Sequence, residues 1–145
     1  MSNPTAADAA HAVQAGVHAL LTGDAELMAL IDGVYDEVPE PAPYPYLTIR
    51  DSMSTPHGTH SGYGEQVTIT VHTWTQYAGN AAGDEIAARV HALLHQQHAA
   101  LSPLVDGHTV YIVRREFRQS LNDPQPGIRH RVDRYRIYVS QDMEA

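Results

Sequence analysis

Apolar residues recur along this chain with two different periods, and the changes of period divide it into six main elements. Ala10, Val13, Val17, Leu20 and Leu21 fall on one stripe at helical spacing. Asn3, Pro4, Thr5 and Asp8 before them supply capping residues and a proline suited to the first turn, so a helix is expected from about residue 3 to a stop at Gly23. Asp24 is placed to cap a second short helical piece carrying Leu27, Leu30 and Ile31, ended by Gly33. Four prolines and three acids between Val34 and Pro45 speak against a regular element there and for an exposed connection.

A strand is expected over Tyr46 to Asp51. Residues Ser52 to Gly64 hold three glycines, a proline and two histidines, which reads as a mobile loop suited to partner contact. Val67, Ile69 and Val71 then alternate with Thr68, Thr70 and His72, the period-2 signature of a strand with one apolar face. Ile86, Val90, Leu93, Leu94 and Leu101 return to helical spacing and predict a helix from about Asn80 to Ala100, with Pro103 just beyond. Two strands, Thr109 to Phe117 and Arg129 to Val139, joined by QSLNDPQPG, complete the chain.

This order predicts an α+β fold: a mainly antiparallel sheet of about four strands with two helices packed on one face, in one domain spanning 1–145. The second face of the sheet is left without a cover. Its expected occupants are Thr68, Thr70, His72 and Trp74 on one strand and Val132, Arg134, Arg136 and Tyr138 on another. They are too amphipathic for plain solvent and suit a subunit or partner contact.

Composition narrows the function classes. With 43% hydrophobic and 18% charged residues the chain is globular in type, and it has no apolar run of the roughly 18 residues a membrane span needs. The N-terminus lacks the basic start and apolar run of a secretion signal, so a soluble protein kept inside the cell is expected. The absence of cysteine removes disulfides, thiolate metal sites and cysteine nucleophiles together.

The net charge of −8 is unevenly spread: 12 acids face two arginines through Gly107, whereas seven arginines face five acids afterwards. There is no lysine, so every fixed positive charge is a guanidinium, suited to bidentate pairing with carboxylates.

Ten histidines invite a metal reading, most of all His91, His95 and His98 in HALLHQQH. The zinc-protease pattern requires Glu after the first His, where this chain has Ala92, and the three rings lie along one border of the Ile86/Val90/Leu93 stripe. A helix border or interface rim is the plainer reading. No G-x-S-x-G elbow is present, a phosphate loop ending in Gly-Lys cannot exist without lysine, and Gly58, Gly62 and Gly64 precede a strand instead of a helix. The consecutive acid pairs Asp36/Glu37 and Asp84/Glu85 face apart in extended chain, or complement the dipole at a helix start, so they do not form a catalytic pair. No catalytic, cofactor-binding or metal residue is assigned.

The arginines are the best candidate surface. Arg114, Arg115, Arg134 and Arg136 admit three readings: solvated charges paired with neighbours such as Glu116 and Asp133, inter-subunit salt bridges to Asp36, Glu37 and Glu40, or nucleic-acid contacts. With Trp74 and Tyr138, each a large apolar body with a polar tip, they make up the candidate interface.

Val34-Tyr35-Asp36, Val38-Pro39, Pro45-Tyr46, Val71-His72-Thr73-Trp74, the helix with Val90, Leu93 and Leu94, and the closing Arg134-Tyr135-Arg136-Ile137-Tyr138 together resemble the tail-completion, or tail-terminator, family of long-tailed bacteriophages. The similarity covers roughly Ala10 to Val139. It implies a non-enzymatic virion protein that forms a homo-oligomeric ring, expected to be a hexamer, at the head-proximal end of the tail. The implied partners are the tail-tube protein, whose polymerisation it would stop, and the head-side connector or stopper protein. It also implies assembly in the host cytoplasm, no cofactor and no membrane. DNA would pass through the ring without specific binding, and an acidic bore would suit that passage. The alternatives are a head-side neck or connector component and, from another class, a metal-dependent hydrolase using the histidines.

Overall fold

The computed structural model describes residues 9–39, 43–58, 63–76, 81–122, 125 and 127–142. Helix α1 runs Ala9–Thr22 and a single turn α2 Ala25–Met28. Strands β1 (Val34–Tyr35), β2 (Tyr46–Pro56) and β3 (Gly64–Gln76) follow. After α3 (Ala81–Leu94), the turn α4 (His98–Leu101) and a 3-10 turn at Ser102–Leu104, the chain ends in β4 (His108–Asn122) and β5 (Ile128–Gln141). The five strands form one sheet in the order β1-β2-β3-β5-β4. Only the β1–β2 pair is parallel.

One face of the sheet carries the core. Val13, Val17 and Leu21 of α1 and Ile86, Val90 and Leu94 of α3 are fully buried together with Leu47, Ile49, Ile69, Val71, Tyr135 and Ile137 of the strands. Each such aliphatic side chain withdrawn from water contributes about 1.5–3 kcal/mol, which fixes the strand register because a one-residue slip would turn all of them to the other face. Gly16 lets α1 approach the 3-10 turn: a Cβ there would meet Val105 Cγ2 at 2.8 Å and the Leu104 carbonyl oxygen at 2.9 Å. The expected cap of α2 is present, with the Leu27 amide donating to Asp24 Oδ2 at 2.8 Å. Arg89 of α3 holds the same carboxylate through two hydrogen bonds of 2.9 and 2.7 Å. This pair first, and the Leu27 amide second, keep the Asp24 carboxyl at about 2, well below the usual range.

Four expectations are corrected. The chain between Val34 and Pro45 is not wholly irregular, because Val34 and Tyr35 precede the prolines and pair with Leu47 and Thr48. Strand β2 does not stop at Asp51 but continues through Ser52 to Pro56; a bulge between Arg50 and Met53, with Asp51 at φ 58°, shifts the register and lets pairing with β3 resume. The connection is therefore residues 57–63, and His60 lies outside the described residues. The long helix ends at Leu94, because the Gln96 amide donates to the Val113 carbonyl at 2.8 Å and the Arg115 amide donates to His95 Nδ1 at 3.2 Å. These tertiary bonds to β4 hold Gln96 at φ 58° and restart the helix at His98. Strands β4 and β5 run past Phe117 and Val139 because backbone pairing along the ladder needs no apolar side chains, and it continues from Asn122↔Arg129 to His108↔Gln141. The expected start of α1 near Asn3 to Thr5 lies outside the described residues.

Candidate functional site

Among the described residues no helix covers the second face of the sheet, as the strand pattern leads one to expect, and its surface falls into three zones. At one end an aromatic row crosses four strands: Tyr35 meets Tyr46 edge-on at 6.0 Å, Tyr46 stacks toward Trp74 at 6.4 Å, and Trp74 lies flat on His130 at 3.8 Å. Antiparallel register places these rings side by side, since Tyr46 and His130 are the two partners of Trp74 on either flank. The indole N–H donates to Thr48 Oγ1 at 3.2 Å, so the polar tip of Trp74 is satisfied within the chain.

His130 Nε2 lies 2.7 Å from His72 Nδ1, and His72 Nε2 lies 3.1 Å from Asp51 Oδ2. Neutral imidazoles satisfy both bonds when His130 donates from Nε2 and His72 donates from Nε2 to the carboxylate. The bulge at Asp51 thus carries a hydrogen-bond acceptor to the end of this chain.

The middle zone is ionic. Glu116 accepts from Arg134 Nε at 2.7 Å and from Arg136 Nη2 at 2.6 Å, and Arg134 also lies 5.1 Å over the Phe117 ring. Beneath the arginines, Thr68 and Thr70 are only 6% exposed although no helix covers them. Long arginine stems do the shielding here. The far end gathers Tyr138, 4.9 Å from the His57 ring and 6.1 Å from Tyr111.

Of the candidate interface residues, Trp74, Arg114, Arg134, Arg136 and Tyr138 share this face, with Trp74 and Tyr138 roughly 27 Å apart along the strands. Arg114 is exposed and makes no ion pair among the described residues. Arg115 is on the helix side, opposite Tyr135, with its guanidinium 4.0 Å from Asp133. Asp36 and Glu37 are exposed just after β1, on the sheet edge opposite β4, and Asp36 lines a groove with His11, Gln14 and His18 of α1. Glu40 lies outside the described residues. His130, Tyr35, Phe117 and Leu121 complete the face and are absent from the candidate residues read from the sequence; stepping the alternation Val132, Arg134, Arg136, Tyr138 back by two reaches His130.

The histidines of HALLHQQH do not converge as ligands. His91 and His95 stack at 4.4 Å, but His95 Nδ1 accepts the Arg115 amide and His98 belongs to the next turn. His91 lies against Tyr135, and burial, then the Arg115 charge, pushes its imidazole below its ordinary value. Burial likewise raises the Tyr135 phenol. Among the described residues no three His, Cys, Asp or Glu side chains are grouped to hold a metal ion, and no helix is long and apolar enough to cross a membrane.

Comparison with known proteins identifies the family of the chain. The tail completion protein gp17 of Bacillus phage SPP1 is 27% identical over 117 residues, covering 80% of this chain and 83% of that protein. A chain of the virion of a native gene transfer agent particle superposes with a TM-score of 0.79 at 25% identity, covering 91% of this chain and 97% of its own length. The solved structure of bacteriophage SPP1 gp17 matches with a TM-score of 0.59 at 23% identity over 100% of this chain and 99% of its own, a likeness of fold. Residues 15–140 match the family described as tail completion protein gp17, so the chain belongs to that family of structural proteins of bacteriophage tails.

Proposed function

We propose that this tail completion protein acts as a tail terminator: copies close into a ring, expected to be a hexamer, on the head-proximal end of the tail tube. The ring stops tube polymerisation and presents the surface that joins the head-side connector. The observation that carries this reading is the placement of charge across the sheet. Exposed Asp36 and Glu37 flank the β1 edge, and exposed Arg114 with Arg134 and Arg136 occupy the β4–β5 side. Four strand spacings separate the two edges, roughly 19 Å. Identical subunits that meet acidic edge to basic edge make a head-to-tail contact, and such contacts close into rings when the rotation permits. The uncovered face, with its aromatic row and exposed Ile112, Phe117 and Leu121, supplies apolar area that a charge pair alone lacks.

The reading also accounts for the chain's charge. An acidic ring would repel the DNA that passes through it, which favours passage over binding. The test is sedimentation of the purified chain alone and with its tail-tube protein, followed by imaging of particles. Ring formation on the tube, with the chain at its head-proximal end, is expected. A stable symmetric dimer indifferent to the tube protein would overturn the ring, and a position on the head side of the joint would assign the chain to the neck.

A further inference from the structure

The sheet has two edges, and the fold protects them unequally. On the β1 side the Val34 carbonyl accepts from His18 Nε2 at 3.1 Å, while the rim of β2 beyond it is bent by the bulge before Met53 and ends on Pro56, which has no N–H. On the β4 side the first half is sealed as well. The Val110 amide donates to Ser102 Oγ at 2.9 Å, the Val113 carbonyl accepts from the Gln96 amide at 2.8 Å, and the Arg115 amide donates to His95 Nδ1 at 3.2 Å. These residues stand opposite Val139, Ile137 and Tyr135 and turn those groups away from β5. The register shift at Glu116 keeps the alternation in step, so Arg118 and Ser120, opposite Asp133 and Arg131, turn their N–H and C=O outward in the same way. Among the described residues nothing pairs with them there. Phe117 through Leu121 are exposed without a break, Phe117 at 40% and Leu121 at 37%. An open, partly apolar stretch of edge is a template for one more strand.

We infer that the open half of β4 takes a strand from a second copy of this chain, supplied by residues 38–43. This deepens the ring reading and rests on it. Pro39, Pro41 and Pro43 occupy every second position of that segment. Drawn out as a strand, it carries its N–H groups, those of Val38, Glu40 and Ala42, on one edge and none on the other. It can pair on one side only, which is the placement of proline that an edge strand tolerates, and each residue before a proline is already biased to extended backbone. Charge matches as well: residues 36–45 hold Asp36, Glu37 and Glu40 and no base, whereas residues 114–121 hold three arginines against Glu116. Arg114 among them makes no ion pair within the described residues. Tyr35 and Tyr46, whose rings are 6.0 Å apart, bracket the ten residues 36–45. Five residues out and five back reach about 16 Å beyond the β1 edge. That edge is opposite β4, so each copy offers a strand on one side and receives one on the other, the head-to-tail arrangement a ring requires.

The chain has no cysteine, so Glu40→Cys combined with Ser120→Cys introduces two thiols that a short bismaleimide joins only where the two segments meet. Assembled on the tail-tube protein and cross-linked, the double variant should run as a ladder of joined copies in denaturing electrophoresis. Either single variant should give none. Ser120→Pro removes an outward N–H and leaves the ladder to β5 intact, so its denaturation midpoint should stay near wild type while assembly weakens about tenfold or more. Gln119→Pro, whose N–H faces β5, should lower the midpoint instead. On the donor side, Glu40→Pro with Ala42→Pro keeps the segment extended but strips its N–H groups, and assembly should weaken to a similar degree. Rings that form at wild-type strength with these variants, or that do not cross-link, overturn the docking and leave the ring standing. Cross-linking of Ser120→Cys to the tail-tube protein in place of a second copy overturns the occupant. A wild-type chain that forms no ring on the tube overturns both readings.

Discussion

The two faces of the sheet bury comparable stretches of β3 by different means. Under the helices, Val67, Ile69 and Val71 are 0–1% exposed because α1 and α3 lie on them. On the other side Thr68 and Thr70 reach 6% under a roof of flanking side chains, among them Arg134, Arg136 and Glu116. The first kind of burial is apolar and supplies most of the driving force for folding. The second is held by ion pairs that are open to solvent, and such pairs contribute little to stability and are weakened by salt. A face shielded this way can be rearranged by a partner at low cost. The helix-covered face cannot.

Substitutions should separate the two. Ile69→Ala, in the middle of the covered face, is expected to cost about 2–5 kcal/mol, read as a shift of the denaturation midpoint. Trp74→Ala on the open face is expected to cost less, about 1–2 kcal/mol, since its ring is half-buried. The same variant should lose ring formation in sedimentation with the tube protein. If its stability cost equals that of Ile69→Ala, the open face is a second core and the contrast between the faces is wrong.

Charge reversal sharpens the comparison further. Arg134→Glu with Arg136→Glu would place two new acids beside Glu116 and so perturb the chain itself, because both arginines bind that carboxylate. Arg114 has no such partner among the described residues. Arg114→Glu should therefore leave the unfolding curve within about 0.5 kcal/mol of wild type while weakening ring assembly, with partial recovery on reversing Asp36 and Glu37. Assembly at wild-type strength would mark Arg114 as an ordinary solvated charge.

The smallest effect expected concerns pH on the covered side. The imidazole of His91 is pushed below its usual 6.5 by burial, then by Arg115, so the unfolded chain binds the proton more readily than the folded one. Its contribution is complete above 6.5 and declines as pH falls through that value toward the lower folded one. Asp24, lowered from 3.8 to about 2 by Arg89 and the Leu27 amide, contributes above 3.8, and that contribution is lost as pH falls to about 2. Denaturant titrations across this range should show a stability slope near pH 6 that His91→Gln flattens. An unchanged slope would move the titration to another group.

Local rules carried much of the architecture. The stripe through Val13, Val17 and Leu21, the Asp24 cap and the alternation of β3 all have the same physical origin: neighbours within one or two turns, or on one strand, decide them. The existence of an uncovered sheet face, and Trp74 and Tyr138 on it, followed from the same alternation. What failed locally failed where a distant backbone group intervened. HALLHQQH reads as continuous helix until the Val113 carbonyl and the Arg115 amide of β4 take its end, and the polar residues Ser52 to Pro56 read as loop until β3 provides a ladder. His130 gained its role from Trp74, 56 residues earlier and opposite it in register, and Arg134 and Arg136 gained theirs from Glu116 across the β4–β5 pair. Side-chain pattern along the chain sets which face a residue joins. Which residues meet on that face depends on strand order and register, and these are settled by burying the apolar face as a whole.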